Sequence, residues 1–211
     1  MRHTYLIGKT GSGKTTLLKN LIYQDIYNGH GVCVIDPHGD LSIDILKVIP
    51  KGRLEDVVYF DPSDTNNPLG FNPLHYKYEY EKDLVSSSII STFKSLWSDS
   101  WGPRLEYILL NTILALLEVP KSNSVSMICI SKMLTDKKYR KWVITHISDP
   151  KVKSFWVEEF STFNERQIGE VISPILNKIG AFTSTSLIRN ILGQAKSSFS
   201  LKDIMDNKRI F

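Results

Sequence analysis

The chain has 211 residues, of which 42% are apolar and 23% charged, with 12 glycines and 9 prolines. This is globular usage with enough Leu, Ile, Val and Phe for a core, so it excludes disordered and collagen-like chains and favours one unit, or one unit with an insertion, over a multidomain assembly. The net charge of +4 is uneven: residues 1–60 carry +1, residues 61–130 carry −3 and residues 131–211 carry +6, so the last third tolerates an anionic partner.

The amino-terminal run before Gly8 holds four apolar residues and no small-residue cleavage site, which argues against a secretory signal. The most apolar stretch, Ile108 to Leu117, is shorter than the ~20 residues that span a bilayer and reads as a core helix. A cytoplasmic chain is expected. Cys33 and Cys129 lie far apart in apolar stretches and are expected as buried free thiols; they fit neither a disulfide framework nor a metal ribbon.

In chain order, Thr4–Ile7, Val32–Ile35 and Val57–Phe60 read as short strands. Leu17, Leu18, Leu21, Ile22 and Ile26 mark a helix between the first two. Apolar strands alternating with helices predict an α/β parallel sheet, with Gly8, Asp36 and Asp61 at the carboxyl ends of its strands, where ligands gather. Residues 61–73, DPSDTNNPLGFNP, consist of turn formers and predict a loop. Helical periodicity then takes over. Val85, Ile89, Ile90, Phe93, Leu96 and Trp97 share one face, a helix opens at Pro103, and further helices are expected near 124–134, 137–148, 151–163, 165–180 and 185–193. Ser200 to Asp203 matches a capping box, and Lys208–Phe211 reads as a beginning strand. The expected organisation is residues 1–82 as the first part of a sheet domain, 83–199 as a helical insertion and 200–211 as a return to the sheet.

Gly8-Lys9-Thr10-Gly11-Ser12-Gly13-Lys14-Thr15 fits G-x-x-x-x-G-K-[ST] between an expected strand and helix. Such a loop wraps an anion with its backbone amides, aided by the positive end of the following helix. Lys14 would reach the β- and γ-phosphates of ATP, Thr15 would ligate Mg²⁺, and Thr16 would lie near the α-phosphate. Hydrolysis also needs a carboxylate for the metal and a residue that orients water, yet the sequence contains no Asp-Glu dipeptide. Asp36, followed by Pro37, His38, Gly39 and Asp40, is the better candidate for the magnesium carboxylate and Asp61 the weaker. Asp36 also fits a second role, that of a turn cap beside the site.

The runs RHTYLIGKTGSGKTTLL, GVCVIDPHGDL, DVVYFDPSD and GFNPL, with Trp101–Glu106 and the Asp149-Pro150…Phe155-Trp156 region, resemble the P-loop ATPase domain of conjugative DNA-transfer and type IV secretion coupling proteins, among the FtsK/HerA-like DNA-pumping motors. The resemblance implies a RecA-like parallel sheet with an inserted all-helical subdomain. It implies ATP and Mg²⁺ as cofactors, hexameric assembly, DNA as the moved polymer and secretion or conjugation machinery at the inner face of the membrane as a partner. By matching position it assigns nucleotide binding to Gly11, Gly13, Lys14 and Thr15, and the edge of that site to Asp36. The family's metal and water carboxylates follow the helical insertion, so the resemblance implies a truncated motor domain that binds ATP and hydrolyses it poorly. Arg104 is a candidate for completing a neighbour's site.

Lys132, Lys137, Lys138, Arg140 and Lys141, interleaved with Tyr139 and Trp142, could contact DNA phosphates or form an ordinary solvated helix face. Two further functions stay open. A small-molecule kinase would need lid arginines, for which Arg104, Arg140, Arg166 and Arg189 are the supply. A non-enzymatic interaction module would use nucleotide only to stabilise its fold.

Overall fold

The computed structural model describes residues 3–211 and is mainly helical; Met1 and Arg2, at the start of the amino-terminal run, lie outside the described residues. The helices are α1 (Lys14–Tyr27), α2 (Asp40–Leu46), α3 (Lys82–Leu96), α4 (Pro103–Leu117), α5 (Ile128–Thr135), α6 (Lys137–Ile144), α7 (Pro150–Ser154), α8 (Glu165–Thr183), α9 (Ser186–Leu192) and α10 (Leu201–Asp206). The chain divides into two units, one running up to Phe60 and resuming over Phe199–Phe211, the other spanning Asp61–Ser198.

The expected α/β parallel sheet does not form. Among the described residues no strand is present, and pairing is confined to two isolated parallel bridges, Val32 with Ile210 and Val57 with Ile210. The physical reason lies in how the runs are covered. A parallel strand is stable when paired on its edges and buried on both faces. Tyr5 and Ile7 are 87% and 82% exposed and Ile35 is 86% exposed, so the first run is largely uncovered and the second has one side turned to solvent. Cys33 follows the same alternation and is exposed, contrary to the buried thiol expected; Cys129 is half-buried, and both are free.

The first unit instead closes a small core of Ile26, Ile45, Ile49 and Ile210, flanked by Ile22, Val32, Val34, Leu41, Leu46 and Val57. Arg53, in a 3-10 turn at Lys51–Asp56, gathers this unit. Its guanidinium donates to the carbonyls of Ile26 at 3.0 Å, His30 at 3.0 Å and Lys208 at 2.7 Å, and pairs with Asp56 at 2.8 Å. α10 starts at Ser200, whose Oγ accepts from the Asp203 amide.

In the second unit α4 is the axis. Pro103 takes its first turn after an extended Gly102, and Leu105, Ile108, Leu109, Thr112, Ile113 and Leu116 are buried, which is why this stretch is the most apolar in the chain. α3, α5, α6, α7 and α8 pack against it. The starts of the later helices obey capping chemistry. Asp136 accepts from the amides of Lys138 and Tyr139, Asp149 from Lys151 and Val152, and Asn164 forms a reciprocal capping box with Gln167. The expected helix over 151–163 is divided: α7 widens into a π turn at Phe155–Glu159 and tightens into a 3-10 turn at Phe160–Thr162. Those turns bring Phe155, Trp156 and Phe160 into the core. No helix among the described residues is long and apolar enough to cross a membrane.

Candidate nucleotide-binding site

Residues 8–13 form the loop that the motif requires, without a strand before it. Gly11 and Gly13 adopt φ of +81° and +82°, in the left-handed region that side-chain-bearing residues rarely enter, and no atom lies near where a side chain would project from either. Gly13 is the residue immediately before α1, and it caps the helix with no side chain. The amides of Lys14, Thr15 and Thr16 belong to the first turn, which has no intrahelical acceptors, so this end presents donors and a positive dipole. Ser12 turns back through its amide to the Lys9 carbonyl at 3.2 Å, and its hydroxyl lies over Gly8, where a β-carbon would come within 2.5 Å of it.

Lys14 is half-buried, and its ammonium donates to the carbonyls of Gly8 at 2.7 Å and Lys9 at 2.8 Å, holding the side chain back across the loop. The loop residues Gly8 to Gly13 and the hydroxyl-bearing Thr15 and Thr16 are exposed. Open left-handed glycines, a helix amino terminus, an ammonium and a hydroxyl are the donor set that a polyphosphate with a divalent cation requires, so the residues fit ATP and Mg²⁺.

Asp36 is fixed by its own turn. Its Oδ1 accepts from the His38 amide and its Oδ2 from the Ser42 amide, both at 3.1 Å, and Gly39 at φ +87° carries the chain into α2. The Ser42 amide, followed by those of His38, Gly39 and Leu41, holds this carboxyl below its ordinary value against the opposing effect of desolvation, so it is ionised at neutral pH. Each oxygen keeps a lone pair. No hydrogen bond or ion pair joins Asp36 to Lys14 or Thr15 among the described residues, and no group of three or more metal-ligating side chains occurs among them. Asp61 is occupied by the amide and hydroxyl of Ser63.

The arginines considered for a lid are engaged elsewhere. Arg140 donates to the carbonyls of Met133 and Leu134, Arg166 pairs with Glu170, Arg189 donates to the Thr183 carbonyl, and Arg104 lies over the Phe163 ring. Sequence reasoning missed Arg53, whose four contacts organise the unit that carries the phosphate loop; an isolated arginine in KGRLED gives no signal of this. It also missed Asn72 of the GFNPL run. That buried side chain donates to the Val125 and Ala195 carbonyls and accepts from the Leu74 amide, which gives the run a structural role in the helical unit.

Residues 1–98 match the family model described as Helicase HerA, central domain. The match supports a P-loop ATPase of HerA/FtsK type. It covers the phosphate loop, the Asp36 turn and the whole of α3. No curated protein and no solved structure matches the chain.

Proposed function

We propose that this chain is the ATP-binding part of a DNA-translocating motor. The observation that carries the reading is the phosphate loop itself: two open left-handed glycines, Lys14 and Thr15 at the start of α1, within a segment matching the HerA central domain. In this reading the amides of residues 11–16 embrace the phosphates, Lys14 exchanges the Gly8 and Lys9 carbonyls for β- and γ-phosphate oxygens, and Thr15 holds Mg²⁺. Magnesium would supply charge neutralisation on the phosphate oxygens. Asp36, ionised and held in orientation by two amides, is proposed as the carboxylate at the magnesium edge of the site. Gly8, Lys9, Thr10, Ser12 and Thr16 complete the cradle.

Nucleotide binding without efficient turnover is the expected behaviour, because Asp61, the weaker acidic candidate, is taken by Ser63 and two amides already share the oxygens of Asp36. The resemblance to conjugative and type IV secretion coupling proteins supports a hexameric assembly, DNA as the moved polymer and membrane-bound machinery as a partner. The test follows Mg²⁺-ATP binding and phosphate release in one sample, with and without DNA. Micromolar-range binding with little release is expected; absence of binding would remove the reading.

A second reading has its own observation. Tyr5, Ile7 and Ile35 are more than four-fifths exposed, and Leu17, Leu18 and Leu21 of α1 are 40–46% exposed. This favours an association module in which nucleotide stabilises the fold, by about 2.7 kcal/mol at one hundred times its dissociation constant. Unaltered assembly when Lys14 is replaced would support the module over the motor.

A further inference from the structure

We propose that the outer face of α6 is a contact surface for single-stranded nucleic acid, in which a base stacks on Trp142 and two phosphates are held by Lys138 and Lys141. The proposal rests on the DNA-motor reading and adds the strand form and the residues.

The structure sorts the basic segment into side chains held by other groups and side chains that keep exposed ammonium groups. Arg140 is withdrawn into the fold, with its guanidinium on the Met133 and Leu134 carbonyls and over the Phe160 ring. Lys137 faces Glu165 at 3.6 Å, and Lys132 lies 4.6 Å from the centre of the Tyr139 ring. Lys138 and Lys141 are exposed, and among the described residues no ion pair or side-chain hydrogen bond engages either ammonium. Asp136, at the start of the helix, accepts from the amides of Tyr139 and Lys138, which hold its carboxyl below its ordinary value, so it stays ionised near Lys132 and Lys138.

The same helix carries a row of rings that continues to His146. Tyr139 lies 5.5 Å from Trp142, and Trp142 lies 4.7 Å from His146, whose Nδ1 is 2.9 Å from the Trp142 carbonyl oxygen. The row holds the indole in place, yet Trp142 remains 37% exposed. A fixed, part-exposed indole with exposed lysines four and one residues before it on the same helix is complementary to an unpaired base and its phosphates, because every base has a π-face and stacking tolerates any sequence. Duplex DNA keeps its bases stacked on each other and could use only the lysines.

The test is anisotropy titration of fluorescein-labelled oligothymidine with the full chain at several salt concentrations and without nucleotide, so failure of the phosphate loop would leave the readout unmoved. Trp142→Ala is expected to weaken binding about tenfold, and Trp142→Phe to retain most of it. Lys138→Gln with Lys141→Gln is expected to weaken binding at low salt and to shrink the salt slope by roughly 1.4, from two contacts at about 0.7 each. Lys51→Gln, in the other unit, should change nothing. Wild-type affinity in both the Trp142→Ala and the double-lysine variants, no binding by the native chain, or equal loss of duplex and single-strand binding in Trp142→Ala would overturn the proposal.

Discussion

The Lys14 ammonium donates to the carbonyl oxygen of Gly8, six residues earlier, at 2.7 Å. Together with the bond to Lys9 this folds the side chain back across the loop, so the charge intended for phosphate is held at the mouth of the cradle by weak neutral acceptors. Bonds from an ammonium are charge-assisted with either partner, but only a phosphate oxygen brings a negative charge of its own to the pair, which favours exchange toward ATP.

Asp36→Asn tests the acidic edge. The substitution keeps an oxygen for one backbone amide while removing the charge. Magnesium titration of nucleotide binding should shift to about tenfold higher metal concentration, in the range found for residues that support a metal site. An unchanged magnesium requirement would reduce Asp36 to the anchor of the turn into α2.

Arg53 predicts a stability effect remote from the phosphate loop. Arg53→Ala removes donors from three carbonyls and the partner of Asp56, at a cost of about 2–3 kcal/mol. Denaturant unfolding would report the loss, and amide exchange around Ile26–Gly31 should accelerate first. Arg53→Lys should recover only part, because an ammonium cannot fork toward Ile26, His30 and Lys208 together.

In the helical unit, Trp156 is 2% exposed, lies against Phe155 and Phe160, and donates through Nε1 to the Asn111 carbonyl at 3.3 Å. Trp156→Ala should therefore cost about 3–5 kcal/mol in a denaturant melt. Its neighbour Val157 is half-exposed, and its truncation should stay within about 0.5 kcal/mol.

Glu118 gives that unit a pH dependence of known sign. Its carboxylate pairs with Lys82 at 3.0 Å and accepts from the Ser148 hydroxyl and amide. Burial pushes the group upward, but the bonds from Ser148 and Lys82 outweigh it and leave the carboxyl below its ordinary 4.5. For Lys82, burial lowers the ammonium, and Glu79 and Glu118 together raise it above 10.5. A depressed carboxyl contributes stability that is complete above 4.5 and disappears as pH falls through the lower folded value; a raised ammonium contributes below 10.5 and loses its contribution above that. Melting temperatures of wild type and Glu118→Gln should therefore converge as pH falls below 4.5. A constant difference down to pH 3 would contradict the assignment.

What could be read from the sequence follows from how local each determinant is. Asp136, Asp149, Asn164 and Ser200 each act within three residues, and each starts a helix where the pattern places it. The core face of α4 and the glycine conformations of the phosphate loop are similarly local. Strand pairing is not. The β-branched runs at 4–7, 32–35 and 57–60 specify extended backbone, but a sheet depends on distant partners, and here Ile210 alone bridges two of them. The same limit explains Arg140, whose charge suggested a DNA contact and whose guanidinium belongs to the carbonyls at the end of α5.

Equilibrium binding of a fluorescent ATP analogue with Mg²⁺, comparing the native chain with Lys14→Ala, is the sharpest test of residues 8–16 as a phosphate cradle. Saturable binding by the native chain is expected to be lost in the variant while the helical content of both stays the same. Equal affinity in the two chains, or no binding by either folded protein, would contradict the assignment of residues 8–16 as a nucleotide site.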